Sequence, residues 1–231
     1  MIKKDKYYFL SRPRRFGKSL LLDTIAEVFH GDRELFKGLW IDGSDYDFPV
    51  HPVIRLDMSS TSNETPETLK HTLTNALLRQ AEDEGFSFER DLPSEIFLML
   101  IIGLYKKYNQ RVVVLIDEYD KPVLDHILDK ELAEANQKVL KDFYGILKSM
   151  DPYLRFIFIT GVSKHAKMGI FSDLNNLTDI TMAGDYANIC GIPVEDLDQG
   201  HADRTMGRGR KVVRAAFAFL GRDEIVMKVL R

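Results

Sequence analysis

The sequence predicts an α/β fold, in which a parallel sheet of about five strands is covered by helices on both faces in a three-layer sandwich. Three observations predict it. Apolar runs such as Val112–Ile116 lack polar alternation, which is typical of strands buried on both faces. Helical segments separate these runs four or five times, and such alternation favours parallel strands. The first apolar run also leads directly into a glycine-containing loop and then a helix.

The individual elements are predicted in order from periodicity and from turn and cap residues. Tyr7–Leu10 is predicted as a buried strand, and a helix follows Ser19. Residues 40–52 are rich in Asp, Gly and Pro and are predicted as a loop. The later elements are a strand at Val53–Ser60, a helix from the cap Thr65-Pro66-Glu67 to about Glu84, a helix over about Ser94–Tyr108, a strand within Arg111–Asp120, a helix at Glu131–Met150, a strand at Leu154–Val162 and a short strand at Asp179–Met182.

The composition is that of a soluble globular protein, with 231 residues of which 45% are apolar and 29% charged. A net charge of −3 argues against a protein that coats nucleic acid through its overall charge. The one cysteine, Cys190, excludes an internal disulfide and is predicted as a small buried residue in a reducing cytosol. A cytoplasmic location is therefore expected.

Two further kinds of site are not expected from the sequence. The six histidines lack the spacing of a zinc site, so no His/Cys metal centre is predicted. The most apolar window, Ile96–Tyr105, is too short to cross a bilayer and is predicted as a buried helix. No membrane partner is therefore predicted.

The loop "RPRRFGKS" (Arg12–Ser19) ends in the three residues of a phosphate-binding loop. In such a loop, inward-turned N–H groups and a helix N-terminus face the phosphates. Gly17 permits close approach of the backbone, Lys18 neutralises phosphate charge and Ser19 ligates magnesium. The usual first glycine, five residues before Gly17, is replaced by Arg12.

Two acids, Asp117 and Glu118, end the clearest strand of the sequence. Magnesium bound to a triphosphate requires an acid at the end of a neighbouring strand, and hydrolysis requires a carboxylate that deprotonates water. Asp117 is predicted as the metal-side acid and Glu118 as the base. The other interpretation is a strand that ends in solvated acids.

Further polar residues are candidates for the same edge. Thr160 ends a strand, where it is predicted to sense a γ-phosphate, with Ser163 behind it, or simply to cap the strand. Asp57 is predicted as a strand-end cap rather than a second acid of the site. Three arginines lie in the loop: Arg12, Arg14 and Arg15. They are expected to contact phosphate or an acidic partner, or to be solvated at the surface.

Four stretches together resemble the bacterial AAA-ATPase-like family of P-loop NTPases: "FLSRPRRFGKSLLL", "VLIDEYDKPVLD", "LKSMDPYLRFIFITGVSK" and "FSDLNNLTDIT". The likeness runs from about Tyr7 to about Leu197, and it implies that Arg12 is expected where other phosphate loops have glycine. It also implies ATP and Mg²⁺ as ligands of a Walker A loop and a Walker B strand. The predicted metal ligands are Ser19 and Asp117, the predicted catalytic residues are Lys18, Glu118 and Thr160, and the predicted nucleotide contacts are Arg14, Arg15, Phe16, Gly17, Lys18, Ser19 and Leu20.

The sequence departs from the family at both ends. Only six residues precede Tyr7, and about 34 follow Leu197, too few for the PD-(D/E)XK nuclease-type domain that family members commonly carry. Residues 1–199 are therefore predicted as the ATPase domain of a truncated protein without nuclease activity. Residues 200–231 contain eight Lys/Arg and three Asp/Glu and are predicted as an atypical basic tail. This tail is expected to be a basic surface helix or a loosely ordered segment. The alternatives are a segment that contacts nucleic acid, or one that does not belong to the ancestral fold.

The expected function is magnesium-dependent binding and hydrolysis of ATP, coupled to a protein partner or a nuclease-like module. The alternative is a non-hydrolysing switch that holds nucleotide and signals to a partner. A third expectation is direct contact of the basic tail with nucleic acid, which a strong dependence of affinity on salt would reveal.

Overall fold

One parallel sheet forms the centre of the structure, a computed structural model that describes residues 5–163, 169–172, 174, 176–187 and 189–190. Its five strands pair in the order β2-β3-β4-β1-β5. Each neighbouring pair is parallel, which confirms the predicted α/β class. The strands are β1 (Tyr7–Ser11), β2 (Val53–Asp57), β3 (Val112–Asp117), β4 (Leu154–Gly161) and β5 (Thr178–Asp179).

Two of the helices that connect the strands begin at a capping side chain. Thr65 Oγ1 accepts a hydrogen bond from the Thr68 N–H at 3.1 Å, and Pro66 takes the first helical position. Asp129 Oδ1 caps a later helix through the Leu132 N–H at 3.1 Å. The described helices are α1 (Lys18–His30), α2 (Pro66–Asp83), α3 (Pro93–Tyr108), α4 (Lys121–Leu124) and α5 (Lys130–Ser149).

The strands alternate their side chains between two apolar layers, as the period of two along a strand requires. In β1, Tyr7 and Phe9 pack in the layer that contains α2, α3 and α5. Tyr8 and Leu10 point to the other face and pack against α1. Helices therefore cover both faces of the sheet, which confirms the predicted three-layer arrangement.

The exposed side of β2, at one edge of the sheet, is covered by a side chain from α2. Gln80 Oε1 accepts a hydrogen bond from the Arg55 N–H at 3.0 Å, and Gln80 Nε2 donates to the Arg55 carbonyl at 2.9 Å. This amide satisfies the outward-facing N–H and carbonyl of Arg55, which would otherwise be open to pairing with a further strand.

Two predicted strands differ from the observed bounds by more than one residue, and β1 and β4 differ by one residue at their ends. β2 ends at Asp57 instead of Ser60, because Met58–Ser60 form a short 3₁₀ turn that Asp57 Oδ1 caps through the Ser59 N–H at 2.8 Å. This bond confirms Asp57 as a strand-end cap. β5 is Thr178–Asp179 instead of Asp179–Met182, because Asp179 Oδ1 accepts the Thr181 N–H at 3.0 Å and turns the chain.

Cys190 is buried, as predicted, and burial raises the pKa of its thiol to about 12. The predicted tail, residues 200–231, and its boundary at 199 lie outside the described residues. In the described part of the chain, no helix combines the length and the apolar character that a bilayer crossing needs.

Candidate nucleotide-binding site

The predicted site residues lie at the carboxyl ends of three neighbouring strands. β4 lies between β1 and β3 in the sheet. The loop after β1, Asp117 of β3 and Thr160 of β4 therefore all lie along the carboxyl ends of the strands, which form one edge of the parallel sheet. The register places Leu10 beside Thr160 and Ile116 beside Ile159. This is the edge at which open α/β sheets bind their ligands.

Lys18 begins α1 and turns back over its own loop. The preceding Gly17 has a φ of 82°, a left-handed conformation that glycine adopts without steric cost. Lys18 is only 5% exposed, and its Nζ donates hydrogen bonds to the carbonyls of Arg12 and Pro13, both at 3.1 Å. The amine is therefore held beside the first turn of α1, whose amide N–H groups have no intrahelical acceptors.

Ser19, Asp117 and Thr160 are joined by hydrogen bonds into one cluster. Ser19 Oγ donates to Asp117 Oδ2 at 2.5 Å, and Thr160 Oγ1 donates to Asp117 Oδ1 at 2.5 Å. Asp117 and Thr160 are buried, whereas Ser19 is exposed. The buried carboxylate of Asp117 thus connects α1 with β4.

The donor atoms of Ser19 and Asp117 fit a magnesium ion that arrives with a nucleotide. A hydroxyl and a carboxylate are the hard oxygen ligands that Mg²⁺ prefers, and this ion keeps several waters and phosphate oxygens in its shell. In the described ranges, no three or more His, Cys, Asp and Glu side chains group as a metal site. The arrangement therefore does not fit a metal cage made of protein side chains alone.

Glu118 follows Asp117 in a left-handed backbone conformation, with a φ of 50°. Its side chain is half-buried, and this burial is the main reason why its carboxyl pKa is raised. The Asp117 carboxylate raises the pKa further, while the charges of Lys18 and Arg14 oppose the shift. The charges of Asp117, Lys18 and Arg14 therefore all act on Glu118, and a raised pKa suits a general base.

The loop exposes residues 13–17, which include Arg14, Arg15 and the 42% exposed Phe16. Arg12 differs, because its guanidinium donates to the carbonyls of Thr181 and Ala187. Its backbone N–H also donates to the Gly161 carbonyl at 3.1 Å. Arg12 thus braces the loop against the chain after β5, a role that was not among the three alternatives left open for it.

Three residues beside the site were not predicted: Tyr119, Asp120 and Gly161. Asp120 is fully buried, and its carboxylate accepts the backbone N–H groups of Val162 and Ser163. The sequence signal was the last acid of "DEYD", which follows the two acids assigned to the site. Ser163, predicted as a residue behind Thr160, takes part through its backbone.

Comparison with known proteins places this geometry in context. A family model described as "Predicted AAA-ATPase" matches residues 1–171, a range that includes the loop, Asp117 and Thr160. A protein of Azotobacter chroococcum mcd 1, described as "Uncharacterized protein in vnfD 5'region", is 38% identical over 216 residues. That similarity covers 93% of this chain but 42% of the relative, so the chain spans less than half of the relative's length.

Proposed function

This chain belongs to the AAA-ATPase-like family, and on that premise we propose that it binds ATP with magnesium and hydrolyses the bond between the β- and γ-phosphates. The observation that carries the proposal is the meeting of Lys18, Ser19, Asp117 and Thr160 at one edge of the sheet. Ser19 Oγ and Thr160 Oγ1 each lie 2.5 Å from an oxygen of Asp117. The buried Lys18 amine supplies the positive charge that a triphosphate requires.

Each of these residues has one role in the proposed reaction. Lys18 Nζ exchanges the carbonyls of Arg12 and Pro13 for phosphate oxygens, and the first amides of α1 bind the same phosphates. Ser19 and Asp117 would hold the magnesium ion, which would neutralise negative charge on the phosphates. Further nucleotide contacts come from the other residues of the loop and the start of α1, namely Arg14, Arg15, Phe16, Gly17 and Leu20.

Glu118 and Thr160 act on the reacting groups. Glu118 accepts a proton from the attacking water, whose oxygen then bonds to the γ-phosphorus. The bond from that phosphorus to the bridging oxygen breaks, so the products are ADP and inorganic phosphate. Thr160 Oγ1, now bound to Asp117, hydrogen-bonds the γ-phosphate and senses its presence.

Binding is tested by titrating labelled ATP and magnesium into the wild-type protein and the Lys18→Ala variant. We expect the variant to bind about 10- to 100-fold more weakly, because a hydrogen bond to a charged group contributes about 1.5–3 kcal/mol. Lys70→Ala is the matched control, since Lys70 is an exposed lysine of α2. Equal affinities of wild type and Lys18→Ala would show that the loop is wrongly assigned.

Hydrolysis is tested by phosphate release from wild type and Glu118→Gln at saturating ATP. We expect the variant to bind ATP and to release phosphate about 10²- to 10⁴-fold more slowly, the contribution of a positioned general base. Glu89→Gln, at an exposed position, serves as the control. ATP binding without phosphate release in the wild type would contradict hydrolysis and favour a nucleotide-dependent switch that signals to a protein or nuclease-like partner.

A further inference from the structure

One buried acid that the proposed reaction does not use connects two strand ends of the site. Asp120 is 0% exposed and directly precedes α4. Its two carboxylate oxygens lie 3.2 and 3.1 Å from the Val162 nitrogen, and Oδ2 accepts the Ser163 N–H at 2.6 Å. These two amides directly follow β4, so the carboxylate links the turn after β3 to the turn after β4.

Two hydrogen bonds of Tyr119 join the same turns. Its N–H donates to the Thr160 carbonyl at 3.0 Å, and its hydroxyl donates to the Ser163 carbonyl at 2.7 Å. Gly161 leaves the space for this contact, because an added Cβ would lie 2.4 Å from the Tyr119 ring and 2.8 Å from Asp120 Oδ1. The two turns therefore pack too closely for one to shift without the other.

The environment of Asp120 favours a carboxylate, because Oδ2 accepts both amides and Oδ1 shares the Val162 N–H. Burial raises the pKa of its carboxyl, and the N–H groups of Ser163 and Val162 oppose this shift by bonding the charged form. A buried carboxylate is costly unless such donors compensate it. An asparagine of the same shape has one acceptor oxygen, and its NH₂ group would face backbone donors instead of acceptors.

We propose that Asp120 is a positioning residue for ATP hydrolysis, an inference that rests on the proposed function above. By bonding the amides of Val162 and Ser163, it sets the separation between Glu118, on the turn after β3, and Thr160, at the end of β4. These two side chains are the proposed base and the proposed γ-phosphate contact. The distance between them therefore decides whether water and phosphate meet in a reactive geometry.

The test compares steady-state hydrolysis by wild type and Asp120→Asn. We expect kcat to fall about 10- to 100-fold, the effect of a misplacement of about 1 Å, while KM and ATP affinity stay close to those of wild type. The split between kcat and KM separates positioning from a loss of the binding site. Asp129→Asn is the control, because Asp129 also accepts a backbone N–H but is exposed at the start of α5, and kcat of this variant should not change.

Tyr119→Phe provides a second variant in case Asp120→Asn does not fold in a thermal scan. It removes the bond from the Tyr119 hydroxyl to the Ser163 carbonyl and keeps the ring, so a smaller fall in kcat at unchanged KM is expected. If Asp120→Asn folds and has the kcat of the wild type, the inference about Asp120 is wrong but the proposed hydrolysis stands. If Asp120→Asn does not fold, a wild-type kcat in Tyr119→Phe has the same meaning. A wild-type protein that releases no phosphate would instead overturn the proposed hydrolysis, and the inference with it.

Discussion

At the scale of single residues, the site is built from polar side chains that the core has enclosed. Lys18, Asp117 and Thr160 are at most 5% exposed, and each makes a hydrogen bond to another group of the site. Buried polar groups need such partners, because desolvation without a hydrogen bond is costly. The same partners hold the three side chains in fixed positions at the candidate site.

Sequence reasoning predicted as site residues those whose order follows from phosphate chemistry, namely Gly17, Lys18, Ser19, Asp117 and Glu118. The structure joins two of them, Ser19 and Asp117, by a hydrogen bond. Sequence reasoning did not identify the brace made by Arg12 or the link made by Asp120. Their partners lie far away in the chain, 169 residues for Arg12 and Thr181 and 42 for Asp120 and Val162. Such contacts depend on how strands are ordered in the sheet, and no local pattern encodes them.

The raised pKa of Glu118 predicts how stability depends on pH. Because its pKa is higher in the folded than in the unfolded protein, stability is lost as pH rises through the window between the two values. Glu118→Gln has no charge to bury, so it should raise Tm near neutral pH. This gain should vanish as pH falls below the ordinary glutamate value of about 4.3.

Thermal scans of wild type and Glu118→Gln across this pH range measure the effect. Glu89→Gln, at an exposed position, should leave the difference from wild type near zero throughout. A stabilisation by Glu118→Gln that grows toward acid pH would mean that the pKa of Glu118 is lowered in the folded protein.

At the scale of elements, the centres of the strands are predicted well from the sequence, whereas their ends depend on side-chain caps. The centres of β3 and β4 are continuous apolar runs, and the sequence predicts them because burial on both faces leaves no alternation. The ends of β2 and β5 were predicted wrongly, because capping by Asp57 and Asp179 ends these strands before their apolar or β-branched residues do. Side-chain hydrogen bonds to nearby amides compete with strand pairing at such positions.

Two glycines test the packing of the strand ends. Gly161→Ala should destabilise the protein by about 1–3 kcal/mol, since its Cβ would overlap the Tyr119 ring and overpacking costs this much. Gly145→Ala is the matched control, because no atom lies within 4 Å of its Cβ position inside α5. That substitution should stabilise the protein by about 0.5–1 kcal/mol through helix propensity.

Urea denaturation of the two alanine variants measures both changes. Equal stabilities of Gly161→Ala and wild type would show that the turns after β3 and β4 are not in close contact.

At the scale of the whole molecule, two apolar layers hold the sheet so that three chain segments meet at one edge. The sequence predicts the layers and the number of strands, because apolar runs and amphipathic helices alternate along the chain. The position of β4 between β1 and β3 is a property of the sheet. That position lets Thr160 reach Asp117, and it turns three separate motifs into one candidate site.

The most direct test of this account is a crystal structure of the protein with magnesium and a non-hydrolysable ATP analogue. We expect the γ-phosphate at hydrogen-bond distance from Lys18 Nζ and Thr160 Oγ1, about 3 Å. We also expect a magnesium ion held by Ser19 Oγ and the Asp117 carboxylate. Nucleotide bound elsewhere on the molecule, with Lys18 Nζ still on the carbonyls of Arg12 and Pro13, would contradict the central claim.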